Sequence, residues 1–567
     1  MKIIKNIFAL VLAVALAFSS IITVYAEDNT FGDYTYTVNE DGVSATITSY
    51  TGTDTDVVIP DEVGGYTVTA IGAKVFYNNN TIVCVTVPLT VATIEDNNFF
   101  SCSNLEEVKG VENLITIGEH CFGYSKKLTN LPEMNCLESV GAYSFNDCES
   151  MTRFHIPKTT SSISYYSFIK NNIMLSMDDD NPYFTCIDGV VYNKNVSKVI
   201  KCSCPKTEYT FPDTVTTIGS HAFWYCKLEK INGGANVTTV ESYAFAFCSS
   251  LESIESLSGL EAVKDYAFEF AVTGALDLPK TLKNLSTYAF SGCYMNKLII
   301  HNNLSTIPSW SFSDCAYLTD LVIEEGIEKI GDKAFQGCNR LKKVQLPESL
   351  ISVGNYAFAC SLTEVYIPSG VTSIGKYAFG YGYNRLNWTY PVKEGYRIFG
   401  HTGTAAQTYA ESNSISFYDV DTLFSIDALG NSIRVSNPGG LRFGFRINEA
   451  ILSIESFDNA ELGFIYSYGS DASDLFLENA GANGVKKKIA DNKTVSNGFS
   501  DFNLVFVNIP EQAYDSNVSV RAYSIVNGFV YYSEPITANA RDIARAVCAD
   551  LEDNSDLKNK IKEIYKI

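Results

Sequence analysis

Apolar residues return along this chain at a fixed interval. Taking the first apolar residue of each copy as an anchor gives Ile71, Ile94, Ile117, Val140, Ile163, Ile218, Val240, Val263, Leu285, Ile307, Ile330, Val353 and Ile374. Apart from the interval between Ile163 and Ile218, successive anchors stand 21 to 23 residues apart. Five residues after each anchor is a phenylalanine: Phe76, Phe99, Phe122, Phe145, Phe168, Phe223, Phe245, Phe268, Phe290, Phe312, Phe335, Phe358 and Phe379. A fixed period of this length predicts a solenoid, because one copy cannot bury its own apolar face and must stack on its neighbours. In the copy IGDKAFQGCNRLKKVQLPESLIS, the alternation of Leu341, Val344 and Leu346 with polar residues predicts a short strand of a parallel sheet. Pro347 cannot donate to a ladder and ends that strand. The stretch from Gly331 to Cys338 reads as a short helical or 3-10 turn on the opposite side. One buried Phe per rung, contributing about 1.5–3 kcal/mol each, predicts a continuous structural spine.

The pattern I-G-x-x-A-F-x-x-C-x-x-L-x-x-V-x-I-P resembles the BspA-type leucine-rich repeat of bacterial surface and secreted proteins, over roughly residues 30–420. Some copies depart from it: one residue is missing after Cys226, Cys293 and Cys360, and Cys121 replaces the Ala before Phe122. The expected fold is mainly β: about thirteen repeats of 22–23 residues with parallel strands and short helical turns, followed by a β-sandwich-like module with two short helices.

The domain boundaries expected from the sequence follow these patterns. Residues 1–26 read as a secretory signal, with Lys2 and Lys5, an apolar core and the Val24-Tyr25-Ala26 cleavage pattern. Residues 27–67 alternate as a β cap with a hairpin signal at Asp41-Gly42. Repeats fill 68–394, interrupted at about 175–212 by an insertion read as a strand pair that projects from the coil and rejoins it. Residues 395–420 resemble the family's closing cap, and 421–537 read as a β-sandwich similar to modules appended to secreted proteins of anaerobic gut-type bacteria. Two amphipathic helices are expected in 538–567, the second capped by Ser555.

Charge and reactive residues narrow the chemistry. A net charge of −22 argues against nucleic acid or anionic lipid as the main partner. No catalytic motif occurs, and the five histidines (His120, His155, His221, His301, His401) all precede the terminal module. His120 and His221 share a repeat column several rungs apart, too far for a common metal. No catalytic residue, metal site or cofactor is expected. Seven of fifteen cysteines stand eight residues after an anchor, where other copies carry Asn79, Ser125, Asn171 or Ala271. Such a column predicts a small buried site holding reduced thiols. Cys186, Cys202 and Cys204 lack an apparent fourth metal ligand, and Asp178 to Asn181 read as a solvated acidic turn.

Function has to be read from the surface. The outward strand positions, among them Lys343 with Gln345 and Glu364 with Tyr366, form a mixed polar face suited to a protein or glycan. A second column lies three residues after the anchor, with Tyr143, Tyr166, Tyr243, Tyr266, Tyr288, Trp310, Tyr356 and Tyr377. Its rings should lie partly exposed at the coil's edge and support one another, and Tyr243, Tyr266, Tyr288 and Trp310 are the candidate binding strip. The family resemblance implies adhesion by a secreted or cell-surface protein that binds an extracellular protein or glycan, and, since no second apolar stretch is of membrane-spanning length, no transmembrane segment is expected in the mature chain. The alternatives are a spacer in the cell envelope whose terminal module makes the specific contact, and a glycan-active enzyme in that module.

Overall fold

The computed structural model describes residues 29–567, except 171, 204, 424, 436–439, 449–460, 469–474, 476–479, 481–485, 491–492, 497–498, 508, 527–528 and 554. The expected signal segment and Cys204 therefore lie outside the described residues. The chain divides into two compact units, Met1–Ala271 and Val272–Ile567. It is mainly β, a solenoid of about sixteen turns with parallel strands, followed by a β-rich region with two short helices.

The anchors themselves form the tightest ladder. In the first unit Ser44–Tyr50 sets Ile47 opposite Ile71, and two-residue strands then align Ile71, Ile94, Ile117, Val140 and Ile163 in parallel, residue for residue. Alternation cannot reveal strands this short, so the sequence pattern pointed to the second ladder instead. That ladder runs through Asp56–Val58, Cys84–Thr86 and Glu107–Lys109 and recurs as Arg153–Ile156 with Met174–Met177. In the second unit it holds Leu276–Asp277, Lys297–Ile300 and Asp320–Ile323. Residues 341–347 keep the expected burial, with Leu341, Val344 and Leu346 inside, yet form no strand. Their rung is already stitched at the anchor Ile330, opposite Ile307 and Val353, and at the turn.

The turn is neither α-helical nor 3-10. Left-handed backbone recurs three residues after the anchor, at Asn97, His120, Tyr143, His221, Tyr243, Trp310 and Lys333 (φ 54 to 62), and seven after it, at Ser101, Tyr124, Tyr225 and Phe247. Alternating the handedness aims every second N–H at the following rung. Thus the N–H groups of Tyr243, Phe245 and Phe247 donate to the carbonyls of Asp265, Ala267 and Glu269. Bulky residues rarely adopt this conformation, and only the stacked ladder over-determines it. Close stacking also explains the glycine that often follows the anchor: a Cβ on Gly354 would come within 2.5 Å of the Asp332 nitrogen.

The insertion corrects the expectation of a projecting strand pair. Phe184–Ile187, Val190–Asn193 and Lys198–Cys202 form an antiparallel meander whose last strand pairs in parallel with Thr217–Ile218, so that Val199 takes an anchor position opposite Ile218. Val190, Val191, Tyr192 and Val199 are fully buried, which turns the insertion into an extra rung.

In the second unit Arg397–Gly400 and Ser416–Asp419 continue the parallel ladder from Glu364–Tyr366, with a helix at Ala405–Ser412 between them. Glu364 and Tyr366 are consequently buried rather than outward: Arg397 pairs with Glu364, and Tyr366 packs with Phe399. Beyond them, antiparallel strands form two sheets, one containing Gly440–Asn448 with Phe499–Val507 and the other Glu461–Tyr468 with Val518–Val526. Tyr366, Phe399 and Val420 share one core with Ile426, Leu441, Phe443 and Phe464. Helices at Ala540–Asp550 and Asp556–Tyr565 are capped by Asn539 and Ser555.

Candidate functional site

Each predicted column has a definite place on the rung. The phenylalanine column points inward, with Phe76, Phe99, Phe122, Phe223, Phe245, Phe290, Phe312, Phe335 and Phe379 at most 1% exposed. Its rings stack face to face at rung spacing: Phe76, Phe99, Phe122, Phe145 and Phe168 at 5.1 to 5.4 Å in the first unit, and Phe290, Phe312, Phe335, Phe358 and Phe379 at 5.1 to 5.7 Å in the second.

The cysteine column serves this spine through hydrogen bonds as well as size. Cys102, Cys148 and Cys248 donate Sγ–H to the carbonyls of Phe76, Phe122 and Phe223 on the preceding rung, at 3.0 to 3.1 Å, and Ser125 makes the same bond to Phe99 at 2.6 Å. Cys315 and Cys338 do so to Phe290 and Phe312 at 3.3 Å. In these copies the small buried position also supplies a donor, a role the sequence pattern did not show. All fourteen described cysteines are free thiols, and burial pushes the Cys102, Cys148 and Cys248 thiols far above their ordinary pKa, so they are inert. Cys248→Ser is expected to leave stability within about 0.5 kcal/mol, whereas Cys248→Ala should cost about 1 kcal/mol for the lost bond and the space it leaves. Urea melts of the two variants check this; equal midpoints would refute the donor role.

The eight Tyr and Trp members of the edge column are half-buried. Tyr243 and Tyr266 stack at 4.8 Å in the first unit, and Tyr288 and Trp310 at 5.0 Å in the second. Members that the aromatic count passed over complete the column. His120 stacks on Tyr143 at 4.7 Å, His221 on Tyr243 at 4.8 Å, and the Lys333 ammonium lies 3.9 Å from the Trp310 ring and 5.4 Å from that of Tyr356. The three-residue offset from the anchor already marked them. Neighbours cover at least one ring face of Tyr243, Tyr266, Tyr288 and Trp310. Burial raises the pKa of Tyr243 and Tyr266, so both phenols stay protonated donors.

The other histidines and acidic residues serve the rungs. His155 bridges Ser176 and Asp178, His401 meets Asp421, and His301 lies between Asp277 at 2.6 Å and Glu324 at 2.8 Å. Asp178 accepts the Lys158 N–H, and Asn181 pins the loop through the Pro157 and Thr160 carbonyls. Among the described residues no cluster of metal-ligating side chains occurs, and no helix is long and apolar enough to cross a membrane.

Paired parallel strands, an inward phenylalanine per turn and a recurrent small donor define a β-rich leucine-rich-repeat solenoid. The model of the BspA type leucine rich repeat region matches residues 67–177, 197–273 and 273–386, over half of the chain, and the protein belongs to that family. Its members are non-enzymatic repeat proteins. Solved structures with which it aligns include a leucine-rich repeat protein of Bacteroides ovatus (20% identity, 69% of this chain and 100% of that chain, TM-score 0.44). A leucine rich cell surface protein of Faecalibacterium prausnitzii aligns at 21% identity over 62% of this chain and 94% of that one, with a TM-score of 0.37. The pneumococcal vaccine antigen PcpA aligns at 18% identity over 70% and 98%, with a TM-score of 0.42. No curated protein matches the chain.

Proposed function

We propose that this is an exported, extracellular or cell-surface binding protein that engages a protein or glycan through the edge column of its solenoid and carries out no catalysis. The observation that carries this reading is the half-buried aromatic edge of each unit, Tyr243 with Tyr266 in the first and Tyr288 with Trp310 in the second. Tyr243, Tyr266 and Tyr288 each hold a left-handed backbone at φ 58, and Trp310 one at φ 62, where a smaller residue would be less strained. Large amphipathic rings give contact area at little entropic cost, and the phenols add directional donors. An acidic chain whose rungs carry polar and aromatic edges suits a neutral or basic macromolecular surface better than a polyanion.

Truncation at residue 420 tests this poorly, because Tyr366, Phe399 and Val420 share a core with the terminal module. The cleaner variant changes Tyr243, Tyr266 and Tyr288 together to Phe, which keeps the stack and removes only the hydroxyls. Binding to immobilised matrix proteins and to a glycan array should fall at least tenfold at an unchanged thermal midpoint. Full binding by this variant, and by one with Tyr266 and Tyr288 changed to Ser, would leave the column a scaffold and reject the reading.

A further inference from the structure

The anchor ladder is interrupted once within the first unit. Ser162–Ile163 pairs with Ser139–Val140 on one side, while the inserted strand Lys198–Cys202 pairs with Thr217–Ile218; the two belong to separate sheets. A cleft of about 350 Å³ opens at this interruption. Ser161 and Ser162 edge one wall, Tyr165 and Phe184 contribute rings, and Lys198 and Glu241 form the other side. Its construction is specific. The Lys198 ammonium meets both oxygens of Glu241 at 2.7 and 2.9 Å, and the Ser220 N–H holds Glu241 Oε2 at 2.9 Å. Behind it, the fully buried Lys201 donates to the Tyr165 carbonyl at 3.1 Å and the His221 carbonyl at 3.3 Å, tying the two sides of the interruption together. Tyr165 stacks on His221 at 5.4 Å and stays 46% exposed.

We propose that this cleft binds a short segment of a neutral saccharide. The lining gives the reason. Lys198 and Glu241 cancel in charge yet offer a charged donor beside a charged acceptor, the pairing that adjacent sugar hydroxyls satisfy, and charge-assisted hydrogen bonds are the stronger kind. The serine hydroxyls extend the polar wall, and the accessible Tyr165 ring provides an apolar face for a pyranose. A polyanion would meet Glu241 and a strongly acidic chain, and a bare cation finds no ligand cluster among the described residues. The volume lies near the lower end for ligand sites, roughly 300 Å³ and upward, which restricts the segment to a few sugars. The site goes beyond the edge-column reading and stands on different residues.

The test is calorimetry on the full mature chain with cello-, chito- and manno-oligosaccharides, and with polygalacturonate as the anionic comparator. At least one neutral oligosaccharide should bind saturably. Tyr165→Ala and Glu241→Gln should each weaken it at least tenfold, and so should Ser162→Tyr, which fills the cleft while leaving Tyr165 in place. Should Tyr165→Ala fail to fold, Ser162→Tyr decides. No neutral binding, binding indifferent to Ser162→Tyr and Glu241→Gln, or a preference for polygalacturonate that grows in Glu241→Gln would each overturn the proposal. Sugar binding lost only in the triple Tyr→Phe variant would reject the cleft and leave the edge-column reading standing.

Discussion

Phe312→Ala is expected to destabilise the second unit by about 3–5 kcal/mol, the usual cost of truncating a fully buried aromatic side chain. Phe312 is 0% exposed and is stacked on Phe290 and Phe335, each at 5.7 Å. Its backbone is engaged on the following rung as well, donating to the Ala334 carbonyl and accepting from Cys338 Sγ. The ring thus belongs to two rung interfaces at once. In a quasi-one-dimensional fold the loss is felt by the adjoining rungs first. Hydrogen exchange should therefore accelerate at the amides of rungs 285–358, with the urea midpoint of the unit falling alongside. Unchanged exchange there would mean that the phenylalanine stack is not the core.

What the sequence revealed was whatever repeats with a side-chain signature. The phenylalanine column, the small column beside it and the edge aromatics all follow a fixed offset from the anchor, and their burial follows directly from stacking. Backbone geometry was harder to see. Two-residue strands at Thr116–Ile117 or Ser139–Val140 are too short to alternate. Left-handed turns occupied by Tyr and Trp carry no glycine to mark them. Cys248 read as a small hydrophobe because a bond from Sγ to the Phe223 carbonyl depends on which rung lies beneath. The cleft was invisible for a different reason. Ser161 and Tyr165 lie far in sequence from Lys198 and Glu241, and they meet only because the insertion takes an anchor position in the stack. Nothing in the sequence set Lys201 apart, although it is fully buried.

Acidification should weaken the first unit through His221. The ring is 4% exposed, stacked at 4.8 Å on Tyr243 and 5.4 Å on Tyr165, with the Trp224 edge at 4.7 Å. Ser220 gives its proton to the Ser242 carbonyl, so its oxygen accepts the His221 Nδ1–H at 2.8 Å, which places a ring proton on Nδ1. Burial, and then the charge of Lys201, push the His221 pKa down to about 4. Unfolded, the imidazole titrates near 6.5. Between these values the unfolded chain binds the extra proton, so stability rises with pH and is lost as pH falls from about 6.5 to about 4. The full loss approaches about 3 kcal/mol, at 1.36 kcal/mol per pH unit. Lys201 acts in the same sense at higher pH: burial lowers its pKa to about 8, so its contribution grows from there toward its ordinary value. Carboxylates also titrate in acid, so the measurement is a comparison. His221→Asn places in this column a residue that Asn97 already shows to fit the left-handed backbone. Urea midpoints at pH 7 and pH 4.5 should drop further in the parent chain than in His221→Asn, by most of that 3 kcal/mol. Parallel pH profiles for the two proteins would show that His221 takes up its proton as readily in the folded state as in the unfolded one.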